Sequence, residues 1–557
     1  MRFSISNAIL FGALSIVGTA QAQPPIAQEI FYLLETIPTL IPTLSEYETP
    51  MTARFTSLYD ATWWNCVAVF SSDYKDSLTK IRPTVVSPDP ASHTTPTRAA
   101  CVTQATASLN DLFFGGINAY AEAMKKFEEL TIEYEVPANV KECMVDEATL
   151  FTRNLRKLKE SSDSARTSFV ADASCLEDVA SEASYSPNTM GHIVAMQTYV
   201  YAVMDGYNML GTEGGCETYC RPYADTTGYE PSTRAGSWRP LLEDNGKGFF
   251  FYQQFVTPHI GQKAKFRFLP EAERATRVIR KPDYSMARVA EADAVISEMA
   301  LLDDKSKLQI EAFDDKLYVT TQVINAFVGK LLQVGYKDEA LGADGVILSL
   351  ERLLHFNQGL TGAEYDSIVI AWKEKVKYDL VRPTTIIKER GDEKITTWTM
   401  GGVKTFPARD FEAYKRVMPH AEYTSGSSCL FEALKDYVET YLTTLGIDPT
   451  DFPITFPPVQ PGESKVEPGI TPSSEVTLQY GSLAEMADAG CQSRFHGGMH
   501  FYDSVPAGIE LCSGIGVIVS DGTFNLIEES VTVKKRVREG EKKEVGVGVG
   551  GKFGKGE

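Results

Sequence analysis

The chain has 557 residues, with 74 Asp plus Glu against 54 Lys plus Arg and a formal net charge of −20. At 43 % hydrophobic and 23 % charged residues it is ordinary globular material, long enough for a sizeable core. The acidic balance argues against a nucleic-acid binder, although a local cluster of cations can still hold an anion. The 28 Phe and 25 Tyr argue against general disorder.

The N-terminus reads as a secretory signal over residues 1–22. Arg2 supplies the positive start, Ala8 to Val17 an apolar run, and Ala20-Gln21-Ala22 a small-x-small cleavage site. The apolar run is about half the ~20 residues a bilayer span needs, and no later uninterrupted run reaches that length. A secreted, extracellular protein without a membrane span is the expectation. Nine cysteines (66, 101, 143, 175, 216, 220, 429, 491 and 512) suit an oxidising destination and allow up to four disulfides of unreadable connectivity.

Helical patterning follows in seven stretches: Arg54 to Ala68, Leu109 to Leu130, Lys141 to Lys159, Tyr284 to Leu302, Lys307 to Leu332, Ala363 to Leu380 and Ser425 to Leu445. Ile395 to Met400 is the best strand candidate. Breaker-rich loops are expected at Thr84 to Pro96, Gly211 to Gly248 and Pro449 to Pro472, and a disordered tail over 531–557. An all-α chain of helix bundles results, with an N-terminal helical part over 23–335 and a second bundle over 336–530 that carries the chemistry.

Three short segments of that second bundle concentrate unusual residues. Lys375 and Arg382 are seven apart, so two turns of one helix would project both cations from nearly the same face, and Pro383 would end the helix and expose Arg382. Ser425-Gly426 precedes an apolar helical run, so Ser425 can cap it and the first-turn N–H groups form an anion seat. Arg494 and His500 flank Gly497-Gly498; the glycine pair can break a helix and let both converge. His496 and His500 at i, i+4 could also form half a metal site, but the zinc-protease glutamate is missing. Singly, these are a solvated cation face, an ordinary cap and an ordinary histidine. Together, three cations, a hydroxyl, a glycine N–H and an imidazole suit a tetrahedral oxyanion.

The pattern Lys-x6-Arg-Pro, Ser-Gly and Ser-Arg-x5-His resembles the vanadium-dependent haloperoxidases, whose site is shared with the type 2 phosphatidic acid phosphatases. Leu58-Tyr59-Asp60-Ala61, Gly236-x-Trp238-x-Pro240 and Pro258-x-x-Gly261 extend the resemblance. It implies vanadate as cofactor, with Lys375, Arg382 and Arg494 on its equatorial oxygens. Ser425 and Gly426 would donate to it, and His500 would bond the metal. It implies hydrogen peroxide, halide and small organic acceptors as partners, with a homodimer as one expected assembly. Lys375 would polarise the bound oxidant. One position departs: Ser427 stands where the family has an acid–base histidine. His420, five residues before the serine, matches bromide-oxidising members. The alternatives are a phosphatase using His500 as a phosphohistidine nucleophile and a non-catalytic oxyanion-binding relative.

Overall fold

The computed structural model describes residues 48–70, 74–75, 77–78, 95–114, 187–209, 223, 236–244, 248–282, 287–336 and 349–527. The signal segment, the helix expected at Lys141 to Lys159, the 531–557 tail and Cys143, Cys175, Cys216 and Cys220 lie outside the described residues.

Helices dominate. Those of six residues or more are α1 (Thr49–Ala68), α2 (Thr95–Phe114), α3 (Pro187–Val203), α4 (Ala287–Met299), α5 (Asp304–Asp314), α6 (Lys316–Gln333), α7 (Leu350–Tyr378), α8 (Pro383–Lys388), α9 (Gly426–Thr444), α10 (Leu483–His496), α11 (Ser504–Cys512) and α12 (Ile515–Phe524). The strands form short antiparallel pairs: β1 (Leu242–Asp244) with β2 (Phe250–Tyr252), β3 (Lys394–Thr399) with β4 (Gly402–Pro407), and β5 (Ile454–Thr455) with β6 (Gln479–Tyr480).

The 29-residue α7 is the centre of the molecule. Ser349 caps it by accepting the Arg352 N–H, and every residue from Leu350 to Lys375 is buried. A helix buried on all faces needs neighbours all round, and α1, α9 and α12 supply them. Leu360, Ile368, Val369, Ile370 and Trp372 of α7 join Leu58 and Trp64 of α1 and Leu434 and Tyr437 of α9 in one core. Full burial of each such side chain contributes roughly 1.5–3 kcal/mol. Disulfides Cys66–Cys101 and Cys429–Cys512 tie α1 to α2 and α9 to α11, while Cys491 is buried and bridged to no other cysteine among the described residues.

Several expected elements change shape. The stretch Lys307 to Leu332 is two helices, because Asp315 leaves the helical conformation and its carboxylate caps α6 at the Tyr318 N–H. Leu109 lies near the end of a helix that starts at Thr95, inside the expected loop. Strand β3 is offset by one residue from Ile395–Met400 and pairs with β4. Ser504–Phe524 is apolar enough to cross a membrane, with mean hydropathy 1.2, yet half of it is buried in the bundle. A break at Ser513–Gly514 divides it into α11 and α12.

The largest correction concerns Lys375 and Arg382. They do not share a helix. Asp379 adopts a left-handed conformation (φ 49°) and ends α7 at Tyr378, four residues before Arg382. Arg382 is instead the N-terminal flank of α8, with Pro383 as its first residue, and it is buried rather than exposed. The loop containing Trp238 fixes this turn: Trp238 N–H donates to Asp379 O (3.0 Å) and Val381 N–H to Gly236 O (2.9 Å).

Candidate oxyanion site

Three stretches of chain meet at one end of the bundle. The first brings Lys375 from the last turn of α7 and Arg382 from the turn beyond it. Lys375 is fully buried, and its Nζ donates to the carbonyl oxygens of Ala421 (2.9 Å) and Glu422 (3.0 Å). Burial first, then the nearby Arg382 and Arg494, hold its amine well below the usual lysine range. Arg382 donates from Nε to the His420 carbonyl (2.8 Å) and from Nη1 to the Met499 carbonyl (2.8 Å). Its Nη1 is also 3.5 Å from Nε2 of His500.

The second stretch runs from His420 to Ser428. Ser425 caps α9, its Oγ accepting from Ser428 N–H (3.2 Å) and Ser428 Oγ (2.8 Å). As an acceptor in both contacts, it keeps its own O–H for donation. Gly426 opens the helix where a Cβ would sit 3.5 Å from Lys375 Cε and Trp372 Cζ3, so the helix N-terminus faces the lysine directly. Ser427 follows, half-buried. His420 lies with its ring 4.6 Å from that of Trp372, and its Nδ1 is 3.0 Å from Arg382 Nη2. Burial, then Lys375 and Arg382, push its ring well below the ordinary imidazole range.

The third stretch ends α10. The helix stops at His496; Gly497 flanks it and Gly498 takes φ 75°, a conformation that penalises any side chain. The backbone N–H groups of Met499 (3.1 Å) and His500 (3.2 Å) then fold back onto the Arg494 carbonyl, so arginine and imidazole approach the same point. Arg494 is buried and pairs with Asp314 (3.1 Å), while its Nε–H has no hydrogen-bond partner among the described residues. Burial raises the Asp314 carboxyl, but Arg494, Lys415 and Lys316 outweigh it and hold the group below its usual range. His500 is buried, with Nδ1 3.0 Å from Glu422 Oε1. Burial, then Arg382, Lys375 and Arg494, keep it well below the ordinary imidazole range and hence neutral. Two buried guanidinium groups, the buried Lys375 amine, a helix N-terminus and a neutral imidazole thus surround one place.

Residues 355–529 match the family model of the VCPO second helical-bundle domain. The vanadium-haloperoxidase likeness extends over the fold. A holo-type bacterial vanadium-dependent chloroperoxidase superposes with a TM-score of 0.67 at 21 % identity, covering 91 % of this chain and 99 % of that one. The apo-type bacterial vanadium-dependent chloroperoxidase gives 0.64 at 21 % identity, over 86 % and 95 %. Curated protein sequences give no significant match.

Among the residues singled out from the sequence, the structure gathers Lys375, Arg382, His420, Ser425, Gly426, Arg494 and His500, with Ser427 on the first turn of α9. It separates His496, whose Nε2 is 3.4 Å from Glu298 and whose side chain is one-third exposed. His496 and His500 therefore do not form a pair of metal ligands. Sequence reasoning missed Glu422 and Asp314, the carboxylates on His500 and Arg494. Periodicity does not mark Glu422, which lies in an irregular stretch between His420 and Ser425. Asp314 is the last residue of a helix that reads as continuing.

Proposed function

We propose that the chain is a vanadate-dependent haloperoxidase that oxidises halide, bromide in preference to chloride, with hydrogen peroxide, and that the hypohalite formed halogenates small organic acceptors. The observation that carries this reading is the gathering of buried Lys375, Arg382 and Arg494 around a neutral His500, with Arg382 Nη1 3.5 Å from its Nε2.

The donor set fits an oxyanion on the structure's own terms. The cations are buried in a strongly acidic chain, where burying charge costs several kcal/mol unless partners offset it. The Arg494 Nε–H is a buried donor unmet among the described residues, and the Lys375 amine makes its hydrogen bonds to carbonyl oxygens. Lys375, Arg382 and Arg494 would hold the oxygens of vanadate, Ser425 O–H and Gly426 N–H would donate to it, and His500 Nε2 would bond the metal. Bound there, vanadate supplies Lewis-acid activation of peroxide. Lys375 would hold its proton toward the oxidant. His420, in contact with Arg382, is the imidazole within reach when Ser427 cannot titrate near neutrality. Its presence also supports the bromide preference, whereas the two solved structures compared above are described as chloroperoxidases. The two disulfides support an oxidising, extracellular location.

The test is bromination of a dye by purified protein given orthovanadate, hydrogen peroxide and bromide, with chloride as a second arm. Vanadate-dependent bromination is expected. Hydrolysis of a phosphate ester without bromination would favour the phosphatase reading, and vanadate binding without either reaction a non-catalytic relative.

A further inference from the structure

The two nitrogens of His500 face groups with opposite demands. Nδ1 lies 3.0 Å from the Glu422 carboxylate, which accepts; Nε2 lies 3.5 Å from Arg382 Nη1, which donates. A neutral imidazole has one proton to place, and both neighbours assign it to Nδ1. Nε2 then turns a bare lone pair toward Arg382. Glu422 is itself held firmly. Its Oε1 also accepts from Phe501 N–H (3.0 Å) and Ser504 Oγ (2.5 Å), its backbone N–H donates to Leu380 O (2.8 Å), and the side chain is fully buried. Its carbonyl oxygen receives the Lys375 amine.

We propose that Glu422 is a positioning residue that acts through His500: its carboxylate fixes the Nδ1–H tautomer and the rotation of the ring, so that Nε2 is already aimed at the central atom of a bound oxyanion. Carboxylate partners of this kind set ring orientation and raise ligand basicity at metal sites generally. The same residue links two stretches of the pocket, because its carboxylate meets His500 while its carbonyl meets Lys375. The inference rests on the oxyanion reading above.

The test uses Glu422→Gln in the full chain. Glutamine keeps the size of the side chain and an acceptor for Phe501 N–H but removes the charge. In vanadate-free protein labelled with nitrogen-15 histidine, long-range nitrogen–proton spectra should show His500 as the Nδ1–H tautomer in the parent and as a mixture in the variant. The His500 signal is assigned among the seven histidines by its loss in His500→Gln. Equilibrium dialysis with orthovanadate should show about 10–100-fold weaker binding in Glu422→Gln. Should Glu422→Gln not fold by thermal melting, Ser504→Ala removes one anchor of the carboxylate and should move both readouts the same way by a smaller factor. A folded Glu422→Gln with parent tautomer and parent vanadate affinity would overturn the proposal, since a merely structural pin tolerates glutamine. A parent that binds no vanadate defeats the functional reading instead, and the tautomer measurement still decides the role of Glu422.

Discussion

Arg382 grips His420 at two points, its Nε on the backbone carbonyl at 2.8 Å and its Nη2 at 3.0 Å from the ring Nδ1. One side chain thus fixes both the main chain and the imidazole of His420, and its charge helps hold that ring below the ordinary imidazole range. If His420 serves where Ser427 cannot, His420→Ala should lower bromide oxidation by about 10²–10⁴-fold. Orthovanadate affinity should change far less, and His496→Ala should leave both at parent values. Steady-state rates and equilibrium dialysis on the three proteins check this; equal losses in the two variants would refute the assignment.

Ser427→His supplies the complementary experiment. A titrating imidazole added to the first turn of α9 should raise halide oxidation in the His420→Ala background and change little in the parent. A large gain in the parent would mean that His420 contributes no proton transfer.

Gly508 approaches the back of the oxyanion helix so closely that a Cβ there would lie 2.4 Å from the Ser425 carbonyl and 3.0 Å from Ser428 Cβ. A backbone atom cannot yield as a flexible side chain can. Gly508→Ala should therefore destabilise the protein by roughly 1–3 kcal/mol in urea denaturation. It should also weaken vanadate binding, because the atom displaced belongs to the capping serine. Loss of stability with unchanged affinity would show that the cap moves independently of α11.

The Cys429–Cys512 bridge fastens α9 one turn after Ser425 and closes a separation of 83 residues. Removing it as Cys429→Ser with Cys512→Ser should cost roughly 2–4 kcal/mol of stability. Reductant should lower the melting temperature of the parent and leave that of the double variant less affected.

The clearest pH prediction lies in the core. Burial drives the Asp60 carboxyl up to about 7, against a hydrogen bond from Thr361 and the charge of Arg267 that act the other way. The unfolded group titrates near 3.8, so between about pH 4 and 7 the folded protein alone retains the proton. This contribution to stability is complete below the unfolded value and lost as pH rises through 7. Between pH 5 and 8 the parent should lose on the order of 2–3 kcal/mol that Asp60→Asn keeps. Urea titrations at the two pH values measure the difference, and equal pH slopes would count against it.

The legible parts of the fold were those whose local chemistry agrees with the final packing. Ser425 reads as a cap and is one; the Gly497-Gly498 pair reads as a break, and the chain turns there. The spacing of Lys375 and Arg382 misled in route but not in destination. Nothing local marks Asp379 as a left-handed helix end, because the loop around Trp238 imposes that turn from more than a hundred residues away. Asp314-Asp315 was likewise hidden inside an unbroken apolar rhythm, where one aspartate caps α6 and the other restrains Arg494. Glu422 needed the third dimension, since its partner His500 is distant in sequence and its own neighbourhood has no period.

The break at Asp379 gives the two cations separate mechanical suspensions. Lys375 rides on the long central helix and shares its rigidity, whereas Arg382 hangs from the turn pinned by Gly236 and Trp238 and from the Met499 carbonyl. Local openings cost least where few buried contacts are lost. Loosening of the 236–240 loop would therefore release the turn beneath Arg382 while Lys375 stays in register, leaving the guanidinium held by the Met499 and His420 carbonyls alone.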